Sequence, residues 1–215
     1  MIDLDAVLTY VEANVFLNTL DVLLFGHSWG GYAVANILNF DHDIKAVVSV
    51  AGVNSGKQFG ENVMIDMLGW FGHLEKPFLS IYQNRLFGNT YKLTAVNGIN
   101  DSNVPVLLIH GENDDVVVYD RDSIILHKSK ITNDKVEYII TTGVHGGHNN
   151  LFRSEEALTY IDEINAEYLI LYNEYDAKIP YNLNQAFYAE LNDELISELN
   201  LDLMNSILVF YEKHL

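Results

Sequence analysis

The chain has 215 residues and no cysteine, so disulfides and thiolate metal sites are excluded. Twelve Lys and Arg stand against thirty Asp and Glu, a formal net charge of −18 that repels nucleic acid and anionic membranes. Hydrophobic residues make up 49%, enough to build one packed domain over residues 1–215 and too many for a disordered chain. No apolar run reaches the length of a membrane span, and Met1-Ile2-Asp3-Leu4-Asp5 is acidic with no secretory h-region; both features predict a cytoplasmic protein.

Leu4, Val7, Leu8, Val11, Val15 and Phe16 recur at helical spacing, which predicts a first helix from Leu4 to about Leu20, with Asp3 as its cap. Val22–Phe25 is apolar without alternation, as in a strand buried on both faces of a parallel sheet. A second helix follows Ser28 and ends near Asn39. Further buried strands are predicted at Ile44–Ala51, Val104–Gly111 and Val136–Ile140, with a helix from Tyr119 to Lys130 between the last two. Strands alternating with helices predict an α/β fold: a mostly parallel, doubly wound sheet flanked by helices.

Residues 53–103 separate the second and third strands by more than one crossover helix needs. They are rich in aromatics and broken by glycine and asparagine, and predict a small helical cap over the carboxyl ends of the strands. Its Trp70, Phe71 and Tyr82 are candidates for an apolar substrate pocket. The tail beyond Asn149 is acidic and helical, closing with an amphipathic helix around Met204–Tyr211.

The chemistry starts at Gly26-His27-Ser28-Trp29-Gly30-Gly31, between the first strand and its helix. A serine on a sharp strand-to-helix turn presents its hydroxyl clear of the backbone, and Gly26 and Gly30 relieve crowding around it. The N–H of Trp29, at the helix start, points to where an oxyanion would form. Ser28 needs a base and an acid to orient that base. His110-Gly111-Glu112-Asn113-Asp114-Asp115 follows the third strand and offers Asp114 as the acid, with Asp115 and Glu112 close by. Gly143-Val144-His145-Gly146-Gly147-His148 follows the fourth and offers His148 ahead of His145 as the base. His110 and the histidines at 27, 42, 73, 127 and 214 are read as structural or solvent-facing. His145-x-x-His148 on a glycine loop without cysteine is a poor zinc site, and the Ser28 loop lacks the G-K-[ST] ending of a phosphate loop, so neither metal nor cofactor is expected.

The order Ser28, Asp114, His148, the GHSWGG turn, the VPVLLIHGENDDVV segment and the Gly146-Gly147-His148 loop resemble the α/β-hydrolase superfamily, in particular bacterial serine hydrolases of the serine-aminopeptidase and monoacylglycerol-lipase-like group. The resemblance runs from Asp21 to the end. It implies an esterase or small-amide hydrolase that works through an acyl-enzyme, with Ser28, His148 and Asp114 as triad and Trp29 as oxyanion donor. An acidic pocket drawing on Glu112, Asp115 and Glu61 would suit an aminopeptidase instead. Family members carry about four strands before the strand that leads to the serine, and a His-Gly loop there supplies a second oxyanion donor. Here a single helix precedes it, which predicts an N-terminally truncated hydrolase, catalytically impaired or turned to binding and assembly. A lost donor costs about 3 kcal/mol in the transition state. The first strand would then present an open apolar edge, to be covered by the first helix or by a second copy of the chain.

Overall fold

The computed structural model describes residues 1–215. Four strands, β1 (Leu23–His27), β2 (Ala46–Val50), β3 (Val106–Gly111) and β4 (Val136–Thr141), lie parallel in the order β1-β2-β3-β4. Every residue of β2 and β3 is buried, while β1 and β4 are partly open. The expected burial on both faces holds for β2 and β3, but not for β1, where Phe25 is half exposed, nor for β4, which has no fully buried residue: both are edge strands with a neighbour on one side only.

Strands added in one direction with right-handed crossovers send every connection over the same face. That face carries α1 (Ile2–Ala13), α2 (Trp29–Asn36) and α5 (Ala95–Ser102), packed through Leu8, Val34, Ala35, Ile37, Ala95 and Ile99 against Leu24, Val47, Val106 and Leu108. The strand order never reverses, so the sheet is wound from one side and the opposite face is closed differently. The C-terminal helix α9 (Leu201–His214) lays Leu203, Ile207 and Phe210 on Val48, Val50, Leu107 and Ile109. The Tyr211 hydroxyl donates to the Leu24 carbonyl at 2.7 Å, tying α9 to β1. β1 has a sheet neighbour on one side only, and α1 joins the face cluster through Leu8 and its neighbours Met1 and Leu4 rather than pairing along that edge.

The excursion after β2 forms a helical hairpin, α3 (Gly56–Leu68) and α4 (Gly72–Phe87). Gly69 and Gly88 end the two helices in positive-φ conformations that side chains resist. The segment is therefore two long helices, not short pieces, and α4 runs through Pro77. Its C-terminal part, α5, is an ordinary crossover helix, so the inserted hairpin is narrower than residues 53–103. Beyond β4, α6 (Glu155–Glu174), α7 (Tyr181–Ala189) and α8 (Asp193–Ile196) lead to α9, with Tyr168 of α6 against Phe187 and Tyr188 of α7. No helix is long and apolar enough to cross a membrane.

Two expected helices differ. The first ends at Ala13, and Asp3 does not cap it. Residues 119–130 are turns followed by a 3-10 segment, Ile125–Lys130. Local side chains compete with the helical ladder there: the Ser123 hydroxyl donates to the Tyr119 carbonyl at 2.6 Å, and Asp122 accepts from Asn62 of α3 at 2.7 Å.

Close approach of α2 to the sheet sets the glycine pattern. A Cβ on Gly26 would strike the Gly30 backbone, and one on Gly31 would lie 2.6 Å from the Val50 carbonyl oxygen. Gly30 itself faces open space, so crowding falls on Gly26 and Gly31, not on Gly30 as expected. Gly26→Ala should lower stability by about 1–3 kcal/mol or prevent folding, whereas Gly30→Ala should be neutral or stabilising by up to about 1 kcal/mol. Urea denaturation of the two variants checks this, and equal losses would contradict it.

Candidate active site

The carboxyl ends of β1, β3 and β4 share one rim because their registers are level: His27 lies opposite Val50, Val50 opposite Ile109, and Gly111 opposite Thr141. The loops that leave these ends carry Ser28, Asp114 and His148.

Ser28 holds φ 56° and ψ −118°, a strained conformation for a residue with a side chain. Backbone bonds impose it. The Ser28 N–H donates to the Val50 carbonyl at 2.9 Å, and its own carbonyl accepts from the Tyr32 N–H at 2.9 Å. Ser49 supports the turn from β2 by donating to the Gly31 carbonyl at 3.0 Å. The Trp29 N–H, in the first turn of α2, has no carbonyl available to it within the helix.

Asp114 is buried and receives several donors. One carboxylate oxygen accepts the N–H groups of Val116 (2.9 Å) and Val117 (2.8 Å). The other accepts from His148 Nδ1 at 2.7 Å, with His110 Nε2 at 3.4 Å. His110 Nε2 also donates to the Val117 carbonyl at 2.8 Å, so it carries the proton and braces the acid loop. Burial by itself would raise the Asp114 carboxyl; hydrogen bonds from His110, His148 and the Val117 N–H outweigh it and hold the group well below the usual carboxylate range.

A carboxylate only accepts, so His148 carries its proton on Nδ1 and leaves the Nε2 lone pair available. The two loops are stitched together below the pair. The Asn113 N–H donates to the Gly146 carbonyl at 2.9 Å, and a Cβ on Gly111 would collide with Gly146. His145 is excluded from the pair: its ring faces the Asn150 carbonyl at 3.3 Å and Glu155 at 4.0 Å. The two histidines of His145-x-x-His148 therefore diverge, and no group of three or more His, Asp or Glu is placed to hold a metal.

His27, which the sequence reading left as structural or solvent-facing, joins β1 to the histidine loop. Its Nε2 donates to the His148 carbonyl at 3.0 Å, and its ring sits 4.6 Å from the His148 ring and 5.0 Å from that of Phe152. Burial pushes the His27 imidazole below its ordinary value. Ser28 is thus the chain neighbour of a residue in contact with His148. The Ser28 hydroxyl itself is not hydrogen-bonded to His148, a common feature of sites without bound substrate. No motif pointed to His27, since a histidine before the serine has no role until the fourth strand's loop is placed.

A cleft of about 370 Å³ opens beside Trp29, lined by Tyr32, Leu86, Phe87, Tyr91 and Ile2 among others. Trp29 packs edge-on against Tyr32 and Phe59. The expected pocket residues Trp70, Phe71 and Tyr82 are not in this cleft; each is more than half exposed, and Trp70 meets Phe71 edge-on. Helical periodicity explains the exchange: α4 turns Gln83 and Phe87 toward the cleft and Tyr82 away. Of the acidic candidates, Asp115 borders a shallow polar depression with His148, Glu112 is exposed, and Glu61 is matched by Lys57 at 3.7 Å and Lys76 at 3.5 Å.

Residues 1–162 match the model of the prolyl oligopeptidase family. The chain belongs to that family, and through it to the serine hydrolases of the α/β-hydrolase superfamily. No curated protein matches it significantly. Among solved structures, an esterase from Pyrococcus furiosus is 18% identical over 69% of this chain and 53% of its own, with a TM-score of 0.44. The acylaminoacyl peptidase of Pyrococcus horikoshii is 22% identical over 60% of this chain and 20% of its own, with a TM-score of 0.41. The protein Est1E from Butyrivibrio proteoclasticus is 18% identical over 81% of this chain and 69% of its own, with a TM-score of 0.48. The chain therefore spans about half the length of the first and a fifth of the second.

The lowered Asp114 value fixes a pH dependence. Its stabilising contribution is complete above the ordinary carboxylate value near pH 4 and is lost as the pH falls from there toward the folded-state value. Wild type should be more stable than Asp114→Asn near neutrality, and the gap should narrow below about pH 4. Urea melts across that range check it; a gap independent of pH would contradict it.

Proposed function

We propose that this chain cleaves carboxylic esters or small amides through an acyl-enzyme on Ser28, with His148 as base and Asp114 as the group that orients it. The observation that carries the reading is the 2.7 Å Asp114–His148 bond, buried, beside a serine held at φ 56°. His148 Nε2 takes the Ser28 proton as the oxygen attacks the carbonyl, and the imidazolium then protonates the leaving group. Water, deprotonated by the same nitrogen, releases the acid. The Trp29 N–H stabilises the oxyanion. The cleft beside Trp29 is apolar enough for an acyl or leaving-group moiety.

An aminopeptidase-like reading is favoured by one observation: Asp115 lies at the rim of the depression that includes His148, where it could meet a substrate ammonium. Parallel assays on nitrophenyl esters and aminoacyl anilides separate the two. Hydrolysis of anilides alone would sink the esterase form.

Ser28→Ala should abolish labelling by a fluorophosphonate probe, and His148→Gln should lower kcat by about 10³-fold or more. Labelling that survives Ser28→Ala removes Ser28 from the mechanism. A folded wild type that never labels supports the impaired or binding-module reading instead. His27→Gln keeps a donor N–H within reach of the His148 carbonyl and should hold kcat within a few-fold, whereas His27→Leu should lose roughly 10–100-fold in kcat with little change in KM. Equal losses in both variants would make His27 a packing residue only.

A further inference from the structure

The outer face of α4 is apolar. Phe71, at its N-cap, and Leu74, Phe78, Ile81 and Tyr82 are each more than half exposed. At 3.6 residues per turn they fall on one stripe about 100° wide. The opposite face is the one that packs: Lys76 pairs with Glu61 of α3 at 3.5 Å, and Leu79 and Gln83 lie against Gly60. The inner face of α4 thus mixes Lys76 and Gln83 with Leu79, while its outer face turns Leu74, Phe78, Ile81 and Tyr82 to solvent together with Arg85. A patch of this size on an otherwise strongly acidic surface marks an interaction site.

Two features select the partner. The hairpin region 56–92 carries four cations (Lys57, Lys76, Arg85, Lys92) against three anions (Glu61, Asp66, Glu75), while the whole chain carries −18. It is where two copies can approach with little repulsion. The stripe is also self-complementary. Glu75 lies in the first turn of α4 and Arg85 in the last, and neither has an ion-pair partner within the chain. Pairing α4 antiparallel with its own copy about a twofold axis near Ser80 sets Glu75 opposite the second copy's Arg85 and Phe78 opposite its Tyr82. It also opposes the helix dipoles favourably.

We infer that the outer face of α4 is the interface of a homodimer, built by antiparallel packing of two α4 helices and flanked by two Glu75–Arg85 pairs. Covering the stripe and the adjoining Trp70 removes on the order of 600–800 Å² per copy, close to the roughly 800 Å² per partner of a standard interface. The inner side of the same hairpin lines the cleft beside Trp29 through Gln83 and Phe87, so dimerisation would also hold that wall in place.

The test is light scattering and sedimentation of the 215-residue chain, with circular dichroism to confirm that each variant is folded. Wild type should be a dimer at micromolar concentration, and Phe78→Asp combined with Ile81→Asp should be a monomer. Glu75→Arg or Arg85→Glu alone places like charges opposite each other and should weaken the dimer about tenfold; the two together should restore it to within a few-fold. A monomeric wild type overturns the inference, and binding of that monomer to phosphatidylcholine vesicles would reassign the stripe to lipid. A dimer unaffected by Phe78→Asp with Ile81→Asp also overturns it and moves the interface elsewhere, the open edge of β1 being the alternative. Single charge reversals that weaken the dimer without rescue in the double variant would refute the antiparallel register.

Discussion

The site depends on a carboxylate kept ionised where water barely reaches it. Asp114 has almost no exposed surface, and burial alone would favour its protonated form. Two backbone N–H groups, the His148 ring and the His110 ring converge on it and reverse that preference. The consequence is chemical as well as structural. A charged, accept-only Asp114 decides which His148 nitrogen bears the proton, and therefore which one keeps a free lone pair. The loops after β3 and β4 are joined at Asn113 and Gly146, so Asp114 and His148 sit on one braced body.

Ser28 belongs to a second body, formed by β1, β2 and α2. Its strained turn persists because the surroundings over-determine it: the Val50 carbonyl fixes the Ser28 N–H, Ser49 fixes Gly31, and Gly26 admits the Gly30 backbone. His27 links the two bodies through the His148 carbonyl. Burial lowers the His27 imidazole below its ordinary value, which disfavours a positive charge next to the His148 ring. The β2–β3 ladder joins the two bodies within the sheet, and His27 adds a second contact at the rim.

Charge is distributed unevenly over the molecule. The chain as a whole is strongly acidic, while the hairpin of α3 and α4 is nearly neutral and turns aromatic side chains to solvent. The same helix turns Gln83 and Phe87 toward the cleft beside Trp29. A surface device and a pocket wall thus share one element, which couples what covers its outer side to what the inner side admits.

Much of this was legible in the residues. Unbroken apolar runs gave the parallel strands, because central strands need no polar face. Gly26-His27-Ser28-Trp29-Gly30-Gly31 marked the turn, and the loops after the third and fourth strands marked Asp114 and His148, because side chains at those ends meet on one rim. What sequence could not supply were contacts between segments far apart in the chain. The bond from His27 to the His148 carbonyl, the bracing of Asp114 by His110, the crowding at Gly31 rather than Gly30, and the outward turn of Trp70, Phe71 and Tyr82 all follow from packing. Within residues 119–130, Asp122 is held by Asn62, sixty positions away, a contact no local pattern announces. Local pattern therefore determined the order of elements and the chemical types at the strand ends, since periodicity and turn chemistry act over a few residues. Tertiary structure decided which atoms touch, since burial and hydrogen bonding are settled only when distant segments compete for the same space.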